Sequence, residues 1–300
     1  MYAIRVSCGQ RGQRKVSSAL TVRSVLARAA ARLDDVSESG RLDAEILLAR
    51  AIDMPRSYLF SHPEDTIDDA TVERLETTVQ LRLSGEPMAY ITGVKEFWSL
   101  ELMVSPATLV PRPETEILVD HALREIPRDA DWRILDLGTG SGAIALAIAS
   151  DRPLCDVTAV DISSDALAVA QQNARQLTIS NVSFLEGDWT EPVANQRFNV
   201  ICSNPPYVSE GDEALEALAA EPMLALLSGN SGLDAIELLA RDCVSIIADS
   251  GFLFLEHGAT QKEQVAEILK SYGWTSIQCY DDYAGHPRVT CAHFSSSEKP

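Results

Sequence analysis

The sequence predicts an α/β protein in which a small N-terminal helical domain precedes a doubly wound, mostly parallel, seven-stranded sheet. Three observations support this fold class. From Trp132 onward, short apolar runs alternate with stretches of helical periodicity, the pattern of a sheet covered by helices. Residues 20–88 show helical periodicity alone. The length of 300 residues also exceeds the usual size of one domain.

The chain is acidic, with 25 Lys and Arg residues against 44 Asp and Glu residues and a formal net charge of −19. A protein that holds duplex DNA through many phosphate contacts should present a basic face, so we expect no direct nucleic-acid binding. The six cysteines show no C-x-x-C pair and no metal-ligand spacing, which favours a reducing, cytoplasmic setting without a metal site. No apolar run approaches membrane-spanning length, and we take a monomer as the default.

The N-terminal third divides into three predicted segments. Residues 1–18 contain four basic residues and no acidic one; we interpret them as a disordered leader or a start codon placed too far upstream, with a transit peptide as the alternative. Residues 19–88 carry three helical patterns and no sign of chemistry, so substrate recognition is a hypothesis only. Residues 89–110, with alternating Leu100 and Leu102, are predicted to form a hairpin linker.

The remaining segment, 111–295, contains the predicted sheet. A helix is expected to start near Pro113, because proline suits the first helical turn. Seven short runs read as strands: 134–137, 156–160, 182–185, 198–202, 252–255, 276–280 and 289–294. Helical patterns connect most of them, which favours right-handed crossovers and parallel pairing.

A glycine-rich loop follows the first predicted strand: Gly138-Thr139-Gly140-Ser141-Gly142. Glycines permit a tight turn and close approach of a ligand to the N–H groups at a helix start. Such a loop alone also fits dinucleotides, but its G-x-G-x-G spacing differs from their G-x-G-x-x-G. Asp161 ends the next strand about 20 residues later, where an acid can accept both ribose hydroxyls. The alternative for Asp161 is a helix-capping or turn aspartate.

Two further residues, Asp188 and Trp189, end the third predicted strand. A carboxylate there can accept an exocyclic amine of a base, and an indole can cover the face of the ring. An ordinary, partly buried aromatic is the alternative for Trp189. Polar or aromatic residues at four successive strand ends nevertheless favour a single crevice.

The fourth predicted strand ends in Asn204-Pro205-Pro206-Tyr207. The two prolines stop the strand and stiffen the backbone after Asn204. A rigid amide beside an aromatic ring suits a planar group that carries an NH2. Taken alone, the segment fits equally well a Pro-Pro turn with a surface tyrosine.

Together these motifs resemble the class I S-adenosylmethionine-dependent methyltransferases, whose fold is Rossmann-like. More narrowly, the chain resembles the protein-(glutamine-N5) methyltransferases of peptide-chain release factors, the PrmC/HemK family. Further supporting segments are 41–45, 87–93, 110–116 and 255–258. The resemblance implies S-adenosyl-L-methionine as cofactor and a release factor glutamine, in a Gly-Gly-Gln motif, as substrate.

The resemblance also implies roles for the residues named above. Asn204, Pro205 and Tyr207 would be catalytic, and together with Pro206 they would contact the substrate. The Asn204 side-chain oxygen would accept one N–H of the glutamine amide and the Pro205 carbonyl the other, while Tyr207 would pack on the amide plane. The cofactor would contact Asn204, Asp161, Asp188, Trp189 and the glycine-rich loop. No general base is required before the attack, so Glu256 and His257 receive no catalytic role.

Some features depart from the family pattern or leave room for other functions. The family carries an Arg-Phe-Glu-Pro segment after the tyrosine, but here Glu221-Pro222 follows two alanines and the arginine is absent. One alternative function is an amino-methyltransferase acting on adenine or guanine, with Tyr207 stacking on a flipped base; the charge of −19 counts against it. Another is a cofactor-binding or regulatory protein without catalysis, which would not need Asn204-Pro205-Pro206-Tyr207.

Overall fold

A computed structural model describes residues 20–295, and the predicted leader, 1–18, lies outside the described residues. The chain divides into two compact units at Gly85 and Glu86. In the described part of the chain, no helix is both long enough and apolar enough to cross a membrane.

From residue 20 onward, the first unit contains four helices rather than the three predicted: α1 Val22–Leu33, α2 Gly40–Ala51, α3 Arg56–Ser61 and α4 Asp69–Leu83. Helix α1 begins at a capping box, in which Thr21 and Ser24 satisfy each other's backbone N–H groups. Its buried residues recur at helical spacing, as the sequence predicts: Val22, Val25, Leu26, Ala29, Ala30 and Leu33. The short α3 lacks such a repeat, which explains why sequence periodicity misses it.

Two buried carboxylates in this unit are paired with arginines. Asp43 of α2 pairs with Arg82 of α4 at 2.9 Å. Glu45 pairs with Arg41 at 2.8 Å and with Arg56 of α3 at 2.9 Å. Each buried acid therefore has a cation beside it, without which burial of its charge would be costly.

The second unit begins with α5 Met88–Thr92 and a hairpin of β1 Val94–Phe97 and β2 Leu100–Met103. Trp98 and Ser99 form its two-residue turn with φ of 52° and 59°, as a type I′ turn requires. The hairpin belongs to the second unit, where Phe97 and Leu102 are buried in the core of the sheet. Its predicted role as a linker between the two domains stays a prediction.

The hairpin is also tied to the sheet by hydrogen bonds. The fully buried Asn173 accepts the Met103 N–H at 2.7 Å and donates to the Met103 carbonyl at 3.0 Å. The same amide donates to the Ser141 carbonyl at 2.9 Å. Asn173 therefore connects the hairpin to the glycine-rich loop, a role that no local sequence pattern indicates.

The seven-stranded sheet confirms the predicted fold class. Its strands are β3 Arg133–Leu137, β4 Asp156–Asp161, β5 Val182–Glu186, β6 Phe198–Ser203, β7 Ile247–Glu256, β8 Thr275–Asp281 and β9 Pro287–His293. They lie in the order β5-β4-β3-β6-β7-β9-β8; β9 pairs antiparallel with β7 and β8, and the other pairs are parallel. The chain proceeds in one direction from β3 and in the other from β6, so a ligand crevice is expected at the carboxyl ends of these two strands.

Helices cover both faces of this sheet. They are α6 Thr115–Glu125, α7 Ala143–Asp151, α8 Ser164–Leu177, α10 Asp234–Asp242 and α11 Lys262–Ser271. The short α9 Ala214–Ala217, between β6 and α10, buries no residue. One core contains the buried faces of α6 and α7, and the other contains those of α10 and α11. Strand β6 contributes Val200 and Cys202 to the first core and Ile201 to the second, as alternation along a strand requires.

Candidate active site

A cavity of about 450 Å³ opens at the carboxyl ends of β3, β4, β5 and β6. Its volume is in the range of small-molecule sites. Nine predicted site residues line it: Gly138, Thr139, Gly140, Ser141, Asp161, Asp188, Trp189, Asn204 and Pro206. The sheet therefore brings together residues from four separate strand ends, while their individual roles stay predictions.

The glycine-rich loop has the backbone conformation that only glycine adopts easily. Gly138, Gly140 and Gly142 have φ of 72°, 56° and 85°. The N–H groups of Gly138 and Thr139 both donate to the Val160 carbonyl, at 2.9 and 3.0 Å, which fixes the loop to β4. A Cβ built on Gly140 would meet no atom of the described residues within 4 Å, so a ligand has room there.

Gly142 packs against two helices instead of lining the cavity. It precedes α7 and approaches the α7 and α8 side chains closely. A Cβ at this residue would lie 3.1 Å from Leu146 and 3.2 Å from Ala170. Its predicted cofactor contact therefore has to come through the backbone of the loop.

The carboxylate of Asp161 is held by two backbone groups. Its Oδ2 accepts the Gly140 N–H at 2.8 Å, and its Oδ1 accepts the Ser163 N–H at 2.9 Å. A carboxylate oxygen accepts more than one hydrogen bond, so both oxygens keep capacity for the two hydroxyls of a ribose. The arrangement fits the cofactor contact predicted from the sequence and also fixes the glycine-rich loop.

Trp189 is fixed between the cavity and the core. Its backbone has a φ of 45°, in the left-handed region. A Cβ on Gly138 would be 3.5 Å from the indole, so the ring lies against the glycine-rich loop. It also packs on the apolar core beneath β3 and β4. Asp188, the preceding residue, lines the same side of the cavity.

Asp136 is a fully buried acid directly below the glycine-rich loop. The Thr139 hydroxyl and the Ala145 N–H both donate to its Oδ2, at 2.6 and 3.2 Å. Its Oδ1 has no hydrogen-bond partner in the described structure. Burial raises the pKa of Asp136 to about 7, although the Thr139 and Ala145 hydrogen bonds oppose the shift.

Asp136→Asn is expected to stabilise the protein more at pH 8 than at pH 5. The pKa of Asp136 is about 7 in the folded protein, above its ordinary value of 3.8. Between these pH values the folded state binds a proton that the unfolded state has lost, so the wild type becomes less stable as pH rises. The variant carries no such charge, and its Tm relative to wild type should therefore rise by several degrees across that window. Thermal melting at both pH values checks this.

The exposed Asp131, just before β3, offers a matched control. Asp131→Asn should change Tm by a similar small amount at both pH values. A Tm difference for Asp136→Asn that does not depend on pH would contradict a buried, titrating Asp136.

Asn204 lines the cavity immediately after β6. Its Nδ2 donates to the hydroxyl of Thr115, the first residue of α6, at 3.2 Å. The Thr115 hydroxyl donates to Oε2 of Glu256, the last residue of β7, at 2.6 Å. Sequence reasoning missed Thr115 and gave Glu256 no catalytic role. The signal for Glu256 was its position at the carboxyl end of a strand, the same signal that identified Asn204.

The structure places Pro205 and Tyr207 beside the cavity rather than in its wall. Pro205 is buried, and Tyr207 is half-buried with its ring against the apolar core. The Tyr207 hydroxyl donates to Glu256 Oε1 at 3.3 Å. Burial and the nearby Glu256 raise the pKa of Tyr207, so the phenol stays protonated. Packing of Tyr207 on a substrate amide stays a prediction.

The segment between β6 and α10 forms another wall, with Pro222, Leu224 and Leu227 facing the cavity. Its buried Glu221 pairs with Arg112 and accepts the Val110 N–H at 3.0 Å. This ion pair connects the segment to the residues before α6 without the arginine that the family pattern led us to expect after Tyr207.

Comparisons with known proteins agree with this geometry. A family model described as a methyltransferase domain matches residues 128–278, and one described as the PrmC N-terminal domain matches residues 24–93. The chain is 44% identical to release factor glutamine methyltransferase of Escherichia coli K12, over 86% of this chain and 94% of that protein. It is 41% identical to the protein of the same name from Coxiella burnetii, over 91% of this chain and 99% of that protein.

Solved structures support the fold. A methyltransferase from Pyrococcus furiosus superposes with a TM-score of 0.50 at 21% identity, covering 65% of this chain and 88% of that one. At 21% identity, this similarity shows the fold alone.

Proposed function

Because the chain belongs to the release factor glutamine methyltransferases, we propose that it methylates the side-chain amide nitrogen of the glutamine in the Gly-Gly-Gln motif of peptide-chain release factors. The methyl donor is S-adenosyl-L-methionine. One observation carries the proposal: Asn204, stiffened by two prolines, lines the same cavity as the glycine-rich loop and Asp161. The cavity therefore contains both an amide that can bind a planar NH2 group and a loop and carboxylate that can bind a nucleoside.

The donor set fits this cofactor. Asp161 offers a fixed carboxylate for two ribose hydroxyls, and the space above Gly140 is open. Asp188 and Trp189 lie at the next strand end, where a carboxylate and an indole suit an adenine. When bound, the cofactor supplies a methyl group on a positively charged sulfur.

The chain's own residues hold and orient the acceptor amide. An amide nitrogen is a weak nucleophile, because its lone pair is delocalised into the carbonyl. Asn204 Oδ1 and the Pro205 carbonyl can each accept one N–H of the glutamine, which turns the nitrogen towards the methyl group. Fixed orientation of this kind is worth several kcal/mol of barrier. Methylation makes the nitrogen acidic, so its proton can leave afterwards without a prior general base.

The proposal also covers substrate recognition, the oligomeric state and the cellular location. The N-terminal helical unit is proposed to recognise the release factor, which is consistent with the match of residues 24–93 to the PrmC N-terminal domain. We propose that the enzyme acts as a monomer, in the cytoplasm, where release factors meet the ribosome. The net charge of −19 supports a protein substrate rather than a nucleic acid.

Incubation of the purified protein with methyl-labelled S-adenosyl-L-methionine and release factor should label the release factor. Mass spectrometry should then locate one methyl group on the glutamine of its Gly-Gly-Gln motif. A release factor with this glutamine replaced by alanine is the matched control and should remain unlabelled.

A parallel reaction with DNA and RNA separates the alternatives. Label on a nucleobase would support the amino-methyltransferase of nucleic acids. Absence of label from every substrate, with the cofactor shown to bind, would support a protein without catalytic activity. Either result would contradict the proposed function.

A further inference from the structure

Three buried or half-buried side chains form a hydrogen-bonded chain that begins in the cavity wall, at Asn204 and Thr115, and ends at Glu256. It runs from Asn204 Nδ2 to the Thr115 hydroxyl at 3.2 Å and from that hydroxyl to Glu256 Oε2 at 2.6 Å. Thr115 and Glu256 are 4% and 1% exposed, so water does not compete for these hydrogen bonds. Tyr207 donates to the other oxygen of Glu256. Glu256 is the common end of both hydrogen bonds.

The direction of this chain follows from the proton count of each group. An ionised carboxylate only accepts, whereas a threonine hydroxyl has a single proton to donate. Glu256 accepts the hydrogen bond from the Thr115 hydroxyl. Only the lone pairs of the Thr115 oxygen are then left to face Asn204. The NH2 of Asn204 can satisfy them. A reversed amide would instead bring its oxygen against the threonine oxygen, and two buried acceptors without a proton between them are unfavourable.

We propose that Thr115 and Glu256 are positioning residues that hold the Asn204 amide with its Oδ1 available to the substrate glutamine. This inference rests on the proposed function, in which Oδ1 accepts an N–H of the substrate. Neither residue needs to contact the reacting atoms. They exclude the orientation in which the NH2 of Asn204 would face the NH2 of the substrate glutamine.

The direction of the hydrogen bonds from Asn204 to Thr115 and from Thr115 to Glu256 depends on the charge of Glu256. Arg288 of β9, Glu114 before α6 and the Tyr207 hydroxyl face this carboxyl. Burial raises the pKa of Glu256 to about 7, while the Thr115 hydrogen bond and Arg288 oppose the shift. Once protonated, Glu256 could donate to Thr115, and the threonine proton could then turn to Asn204. The rate of methyl transfer should therefore fall as pH is lowered through about 7.

Thr115→Val and Thr115→Ser form the matched pair that tests this proposal. Valine keeps the size of the side chain and removes the hydroxyl, whereas serine keeps the hydroxyl and removes a methyl group. Thr115→Val should lower kcat by about 10- to 100-fold, the range seen when a hydrogen bond that orients a metal-ligating side chain is removed. Thr115→Ser should restore most of this loss, and the Kd for S-adenosyl-L-methionine should stay close to wild type in both. Equal kcat values for the two variants would overturn the proposal.

Glu256→Gln supplies a second test. Its amide oxygen can still accept from Thr115 while its NH2 donates to the Tyr207 oxygen, so the direction of the chain is kept. The variant should be active and should lose the decline of rate near pH 7. A decline identical to that of wild type would contradict the role of Glu256.

A readout without turnover separates this inference from the proposed function. In asparagine-labelled protein, the Nδ2 proton signals of Asn204 are identified by their loss in Asn204→Ala. Removal of the Thr115 acceptor should shift one of them upfield in Thr115→Val but not in Thr115→Ser. Unchanged signals would overturn the positioning role even if wild type methylates release factor, and a wild type that transfers no methyl group would overturn the proposed function alone.

Discussion

Asn204→Ala should reduce methyl transfer to release factor by about 10³-fold or more, while binding of S-adenosyl-L-methionine largely persists. The alanine lacks the oxygen that accepts the N–H of the substrate amide, so the weak nucleophile is no longer oriented towards the methyl group. The fold should be kept, because Asn204 is only half-buried and its neighbours Pro205 and Pro206 still end β6. Single-turnover kinetics with labelled cofactor measures the loss, and calorimetry measures cofactor binding.

Asn195→Ala is a matched control for this substitution. Asn195 is exposed and precedes β6, at the opposite end of the strand from Asn204. Its replacement should leave the rate unchanged. A rate for Asn204→Ala within a few-fold of wild type would refute the proposed mechanism, whereas a parallel loss of cofactor affinity would assign Asn204 to cofactor binding instead.

Asp161→Ala should weaken the binding of S-adenosyl-L-methionine by about 100-fold, since two hydrogen bonds to a carboxylate contribute about 1.5 kcal/mol each. The substitution also removes the acceptor of the Gly140 N–H and should loosen the glycine-rich loop. At saturating cofactor, most of the turnover rate should return. Calorimetry and the dependence of rate on cofactor concentration check both expectations.

Two further variants identify the cause of the weaker binding. Asp161→Asn keeps one acceptor oxygen and should fall between wild type and alanine. Asp165→Ala removes an exposed acid from the first turn of α8 and should leave the affinity unchanged. An unaltered Kd for Asp161→Ala would exclude the ribose contact.

Much of the sheet was predictable, because its signals are local. Each β strand from β3 to β9 overlaps a predicted apolar run, and residue type indicated the turns that follow. Three glycines with positive φ could be inferred at 138, 140 and 142 because such a loop favours no other residue. The position of the crevice then followed from the carboxyl ends of parallel strands.

Contacts between distant segments were not predictable in this way. The β1–β2 hairpin was predicted from its alternating residues, but the burial of Phe97 and Leu102 in the core of the sheet was not. The sequence places Tyr207 beside Asn204, but it does not indicate the hydrogen bond from the Tyr207 hydroxyl to Glu256, 49 residues away. These residue types are compatible with several environments, and only packing selects between them.

The positions of the sheet strands along the chain, the glycine-rich loop and the rigid Asn204-Pro205-Pro206-Tyr207 segment could all be inferred from the sequence. These features depend on residues within a few positions of one another, where periodicity and backbone restrictions act directly. Only the folded structure shows which groups are hydrogen-bonded to the Asn204 amide and to each other. Thr115 and Glu256 are 141 residues apart in the chain and meet only because α6 packs beside β6 and β7. The orientation of the Asn204 amide depends on that contact, since the direction of a hydrogen bond follows from the partners that the fold brings together.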